Sequence, residues 1–441
     1  MKKFTKAFLI VILSAIVFTF LASIIESNYS DQDITKIDAG DTAFIAIAAI
    51  LVMLMTPALG FFYAGLVSKK NLVSILVQSI IIFSIVSVIW ALWGYSLAFG
   101  GSSGFIGDSS FVGLKNVGFS PNEDYAGTIP ALLFFFFQLK FAAITPALII
   151  GAFAERIKFS SLLIFIILWV TLIYAPVAHW VWGTGGWLRS MGALDFAGGT
   201  VVHILAGFSA LAGAIVVGRR KNENKQAKPN NIPFVILGTA LLWFGWFGFN
   251  GGSALAANGL AINALVVTNI AAACAALSWM FMDWIVKGKP TATGTAIGAV
   301  CGLVAITPAS GFVGPLAAIA IGLIAGLVSN LVSNWRLERT KLDDTLDVFA
   351  CHGVSGVWGA LATGIFASTA INAAGANGLL FGNPGQIWIQ IVAILASAAF
   401  AFIGSLILFK IIKKIMGLRV SEEDEIKGLD ITQHGEHAYE D

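Results

Sequence analysis

Asp195-Phe196-Ala197-Gly198-Gly199-Thr200-Val201-Val202-His203 and Asp344-Thr345-Leu346-Asp347-Val348-Phe349-Ala350-Cys351-His352 are two stretches in which an aspartate stands eight residues before a histidine. Each leads into an apolar run, 197–218 in the first case and 346–369 in the second, and these are the fifth and tenth of eleven such runs. The others cover 41–67, 71–100, 128–152, 159–181, 232–256, 260–286, 291–310, 313–334 and 387–415. At 1.5 Å per residue, about 20 apolar residues in a helix cross a hydrocarbon core of about 30 Å. The same offset of five runs separates Ala143-Ile144-Thr145-Pro146-Ala147 from the identical Ala305-Ile306-Thr307-Pro308-Ala309. Because five is odd, two such halves enter the membrane from opposite sides, and their functional site is expected near the midplane where they meet. The expected fold is an all-α integral membrane protein of eleven transmembrane helices, an inverted five-helix repeat (41–218 and 232–369) plus one extra helix at 387–415.

Composition supports that class. Of 441 residues 58% are hydrophobic and 11% charged, too apolar and charge-poor for a soluble domain. Twenty-six basic against 24 acidic residues leave a formal charge of +2, so there is no excess for nucleic acid to neutralise. Cys274, Cys301 and Cys351 lie within apolar stretches without zinc-type or disulfide-framework spacing and read as small core residues; no metal or cofactor is implied. No nucleophile and base are arranged for catalysis, so the chain does not read as an enzyme.

At the N-terminus, Lys2, Lys3 and Lys6 precede an apolar run from Ala7 to Ala22, the layout of a secretory signal peptide over residues 1–25, with a retained first helix as the alternative that leaves the remaining orientation unchanged. With the first span starting outside, nineteen basic residues fall in inside segments, among them Lys69, Lys70, Arg156, Arg219, Arg220 and Arg336. Only Lys36, Lys115 and Arg189 fall outside. That asymmetry orients the mature chain in a cell membrane with its N-terminus out and its tail, 416–441, in the cytoplasm.

An ionisable group inside a span is costly unless it is paired or faces a polar cavity, so the few present are the candidates for chemistry. His203 and His352 stand inside related spans, and the repeat axis would bring the imidazoles together. Desolvation favours neutral rings, and two neutral rings sharing one proton leave a donor and an acceptor for a passing solute. Asp195 can cap the fifth span, help to draw a cation to the outer mouth, or both. Asp344 and Asp347 take the matching places at the inner mouth, where Arg336, Arg339 and Lys341 favour structural pairing. His179, near the outer end of the fourth span, reads as structural. Lys140 stands mid-span between Leu139 and Phe141, placed either to snorkel outward or to point at a carboxylate such as Asp195. Aromatic rings cluster at Phe134 to Phe137, Trp180 to Trp182 and Trp243 to Phe249, where ring faces can offset part of a cation's lost hydration.

Asp195 to His203, followed downstream by Gly218-Arg219-Arg220, resembles the hallmark segment of the ammonium transporters of the Amt, MEP and Rh type, in their prokaryotic Amt form. The resemblance extends over nearly the whole mature chain. It includes Gly60 to Gly65, Gly151 to Arg156, Gly245 to Asn250, Asp347 to Gly353 and the tail from Gly417 to Glu425. It implies a homotrimer with one pore per subunit, and ammonium, or methylammonium as its analogue, as substrate. On this sequence the family's outer substrate site falls on Phe141, Trp182 and Ser253 with Ala197 nearby, and its gate on Phe141 and Phe249. The pore then holds His203, His352 and Trp246, with Asp195 as the carboxylate near the site and Phe62, Tyr63 and Val348 deeper. Leu205 and Lys140 depart from the family pattern. The tail is implied to couple subunits and to meet a PII-type regulatory protein. The expected activity is uptake: ammonium is recruited outside, loses its proton, and crosses as ammonia with the proton following. A passive channel for ammonia or carbon dioxide, and an ammonium sensor signalling through the tail, are the rival readings.

Overall fold

The computed structural model describes residues 32–221 and 229–439; the signal-like segment 1–25 lies outside them. The described residues are helical, with only isolated bridges such as Ile157 with Arg419. Among the described residues ten helices are long and apolar enough to cross a membrane: α1 Ala39–Leu66, α2 Lys69–Phe99, α3 Ala131–Phe153, α4 Phe159–Met191, α5 Gly199–Val217, α6 Ile232–Gly251, α7 Gly259–Lys287, α9 Pro315–Arg339, α10 Phe349–Phe366 and α11 Gly385–Met416. Between α7 and α9, helix α8 is shorter, Ala292–Ile306, fifteen residues. The expected eighth span, 291–310, is therefore a short helix followed by turns from 307 to 312. Pro308, with no amide for the ladder, stands just past its end, whereas Pro146 of the identical pentapeptide lies inside α3. The freed segment is used, because the Pro308 carbonyl accepts the Phe196 amide at 3.1 Å and so fastens the end of α8 to the start of α5.

Apolar burial gives little drive between helices in lipid, so close packing and internal hydrogen bonds must hold the bundle. Small residues supply the packing. A Cβ on Gly207 of α5 would lie 2.2 Å from the Gly353 amide of α10, and one on Gly359 would lie 2.2 Å from the Ala305 carbonyl of α8. Backbones therefore touch where α5, α8 and α10 meet. Polar side chains supply the bonds: the Trp169 indole of α4 donates to Ser209 of α5 and Ser405 of α11, and Gln390 of α11 grips both the amide and the carbonyl of Leu194.

Helices α5 and α10 begin alike. Gly199–Ile204 and Phe349–Val354 are π-helical, a wider turn than the α-helix. Neither start could stand without its carboxylate, because the first amides of a helix have no internal acceptor. Asp195 takes four of them, from Gly198, Gly199, Thr200 and Val201, at 2.7 to 3.1 Å. Gly198, at φ +108°, makes the left-handed bend that brings them to the carboxylate. Asp344 takes the amides of Val348 at 3.1 Å and Phe349 at 2.8 Å, and Asp347 is held by Arg336 at 2.8 Å.

The tail folds against the start of α2 and the loops that follow α3 and α5. The short helix α12, Glu422–Lys427, starts on a cap from Ser421. Its Glu425 binds Arg419 and the Lys221 amide, while Lys70 donates to the carbonyls of Glu425 and Ile426. Beyond α12, Asp430 accepts the amides of Val73 and Ser74 at the start of α2, at 3.0 and 2.7 Å.

Candidate substrate pocket and pore

The side chains of interest lie along one line through the bundle. A pocket of about 200 Å³ opens between α3, α4 and the turn after α6 and contains Phe141, Trp182 and Ser253, with Phe137, Gln138, Tyr125 and Phe196 in its wall. The Trp182 indole is held by the Asp195 carbonyl at 2.9 Å, so the residue that starts α5 also fixes the pocket's ring. The Ser253 hydroxyl donates to the Phe249 carbonyl at 2.8 Å, leaving its oxygen able to accept. Ala197 is fully buried and is absent from the wall.

Behind the pocket, Phe141 and Phe249 lie with ring centroids 4.3 Å apart, and Phe141 meets Trp182 edge-on at 5.9 Å. Both phenylalanines are buried. Next comes His203, stacked 6.1 Å from Phe249 and 5.3 Å from Trp246. Trp246 is itself fixed by its indole donating at 2.9 Å to Thr307, the threonine of the repeated pentapeptide. Last in line is His352, with its Nδ1 at 3.3 Å from Nδ1 of His203 and the two rings nearly parallel.

That contact fixes the chemistry available. Two nitrogens at this distance share one proton, so one ring donates through Nδ1 and turns a bare Nε2 to its surroundings, while the other carries a proton on Nε2. Nε2 of His203 is buried and meets no hydrogen-bond partner among the described residues. The rest of the line is aromatic or aliphatic.

Other candidates fall elsewhere. Both ring nitrogens of His179 lie against carbonyls, Ala98 at 3.0 Å and Ser103 at 2.6 Å, which makes it a clasp between α4 and the loop after α2. Lys140 neither snorkels nor meets Asp195: it is 2% exposed, with its ammonium 3.4 Å from the Phe136 ring centroid and 5.1 Å from that of Phe83. The Tyr63 hydroxyl is tied to the Leu148 carbonyl. Sequence reasoning missed Gln138, whose side-chain carbonyl is buried without a partner beside the pocket. A lone amide in the run Phe134 to Phe141 was the available signal. Among the described residues no group of three or more His, Cys, Asp or Glu is placed to hold a metal ion.

The fold defines a multi-pass helical membrane protein with a buried, mostly apolar row of rings that includes two histidines. The profile of the Ammonium Transporter Family matches residues 43–439, and the chain belongs to that family. It is 50% identical over 402 residues to the ammonium transporter of Bacillus subtilis strain 168, covering 91% of this chain and 99% of that one. Ammonium transporter Amt1 of Archaeoglobus fulgidus gives the same identity and coverage. Among solved structures, Mep2 of Saccharomyces cerevisiae superposes with a TM-score of 0.83 at 37% identity, over 89% of this chain and 92% of that one. A structure described as a sensor Amt protein gives 0.82 at 32% identity, over 90% and 98%. The chain is an ammonium transporter.

Proposed function

We propose that this transporter takes ammonium into the cell, gathering it in the pocket at Phe141, Trp182 and Ser253, removing its proton at the Phe141 and Phe249 gate, and passing ammonia beside His203 and His352 while the proton follows. What carries the reading is the 3.3 Å contact between the imidazoles, with Nε2 of His203 left without a partner. In the pocket, ring faces contribute about 0.5 to 2 kcal/mol per contact toward a dehydrated cation. Beyond the gate that help ends, and an ion that keeps its charge meets an apolar lumen without water. Potassium has no proton to surrender and no hydrogen to donate to an imidazole, so it bears the full dehydration cost. Ammonium escapes that cost by crossing as a neutral molecule. The wider reading places two inverted halves, 41–218 and 232–369, around this line and three copies in the plasma membrane. The mature N-terminus is then outside and the tail is in the cytoplasm, open to a PII-type regulator.

The test is a reconstituted protein with both histidines changed to alanine, followed by current and methylammonium uptake. We expect current and uptake to fall or potassium discrimination to be lost; unchanged conduction with unchanged discrimination overturns the reading. A pore that raises internal pH without current would instead be a passive gas channel. The likeness to a sensor Amt protein, together with a tail seated on the helix ends, favours one further reading, a receptor for ammonium. Growth rescue of uptake-deficient cells at low ammonium separates a transporter from a receptor.

A further inference from the structure

Two of the three cysteines meet. Sγ of Cys301 in α8 lies 3.5 Å from Sγ of Cys351 in the π-helical start of α10, and the side chains are 0% and 5% exposed. Cys351 immediately precedes His352, so this thiol pair stands one peptide from the ring in contact with His203. The geometry points to a two-coordinate site for a soft divalent metal ion, mercury(II) being the probe, in which both sulfurs bind as thiolates. Charge selects the valence. Two thiolates around a doubly charged ion form a neutral unit, the only kind an apolar wall accepts without a buried counter-ion. Mercuric chloride is itself neutral, and the exchange balances: two S–H and two Hg–Cl bonds break, two Hg–S bonds form, and two protons and two chlorides leave.

Occupation has a mechanical consequence. Metal–thiolate bonds of the zinc order, about 2.3 Å each, set in line hold the sulfurs about 4.6 Å apart, roughly 1 Å wider than the present pair. The start of α10 has no slack on its other side, since a Cβ on Gly207 of α5 would lie 2.2 Å from the Gly353 amide. Opening the thiol pair therefore shifts the segment that carries His352 and spoils its contact with His203.

The experiment adds mercuric chloride to the full-length protein in liposomes and measures bound metal by intact mass, the sulfur–mercury charge-transfer absorption, and methylammonium uptake. We expect one mercury per chain at this pair with two protons lost, uptake reduced more than tenfold, and recovery with dithiothreitol. Cys274→Ala should remain sensitive. Cys301→Ala and Cys351→Ala, first shown to transport untreated, should need at least tenfold more metal for the same inhibition. Mercury that follows Cys274, or a wild-type protein that binds none at equimolar metal, overturns the site. The uptake arm rests on the proposed function, whereas the binding arms do not. If the untreated protein moves no methylammonium, the transport reading fails and stoichiometry alone decides the site, even where a cysteine variant fails to fold.

Discussion

At the scale of single residues, a few polar groups set the geometry of an otherwise apolar line. Asp195 is the most connected of them, because its carboxylate accepts four amides and its carbonyl holds Trp182. Asp195→Ala leaves those donors unmet in a site that is 8% exposed. Losing a helix cap costs about 0.5 to 2 kcal/mol, and each unsatisfied buried donor about 1 to 3 kcal/mol. The variant should thus lose several kcal/mol and unfold earlier on heating in detergent with or without ammonium. If its melting is unchanged and only transport suffers, the aspartate acts on the cation and not on the helix. Thr307 makes a separable case. Thr307→Val keeps the shape but removes the acceptor for the Trp246 indole, so we expect a stability loss of about 1 to 3 kcal/mol. Trp246 stacks on His203, so methylammonium uptake should fall more steeply than the amount of folded protein, measured together in proteoliposomes.

Among elements, the contact of α5 with α10 decides whether two histidines make one site. Gly207 and Gly353 let the backbones touch, and Gly207→Val would place its Cβ 2.2 Å from the Gly353 amide. The helices must then separate, and the 3.3 Å imidazole contact opens with them. We expect folded protein in the membrane with transport near background; wild-type uptake in that variant would show that the contact is dispensable. This pairing was legible in the sequence because two aspartate-to-histidine spacings fell five spans apart. Span positions were legible too, since apolar length reports how much lipid a helix can cross. The π turns at Gly199–Ile204 and Phe349–Val354 were not, because a wider turn leaves no mark on hydropathy. Nor was the direction of Lys140, which depends on where Phe83 and Phe136 leave room. The short α8 was not legible either, because the same pentapeptide runs on as helix around Pro146 in α3, and the partner that holds its end, Phe196, is more than a hundred residues away in sequence.

For the whole molecule, the sequence placed the tail in the cytoplasm but not its seat on the bundle, because most of the bonds that seat it join residues hundreds of positions apart. Those bonds converge on a charge cluster at one end of the bundle. Arg220 bridges Glu155 at 2.8 Å and Asp343 at 2.9 Å, while Glu155 also accepts the Ser68 amide. Beside them Arg419 pairs with Glu425, whose second oxygen takes the Lys221 amide next to Arg220. Burial by itself would raise the Glu155 carboxyl, and the charge of Arg220 with the bonds from Ser68 more than offsets it, holding the pKa below the usual carboxylate range. A carboxyl depressed on folding adds stability that is complete above its unfolded value, about 4.3, and is lost as pH falls through the lower folded value. The tail should therefore stay seated at neutral pH and release only in acid, below the usual carboxylate range. Arg220→Ala removes the opposing charge and leaves burial opposed by the bonds from Ser68, so the Glu155 carboxyl should rise and release should begin at a higher pH. A spin label at Gln433, followed by its spectral width as pH is lowered, reads the change directly. If wild type and Arg220→Ala release at the same pH, this cluster does not hold the tail.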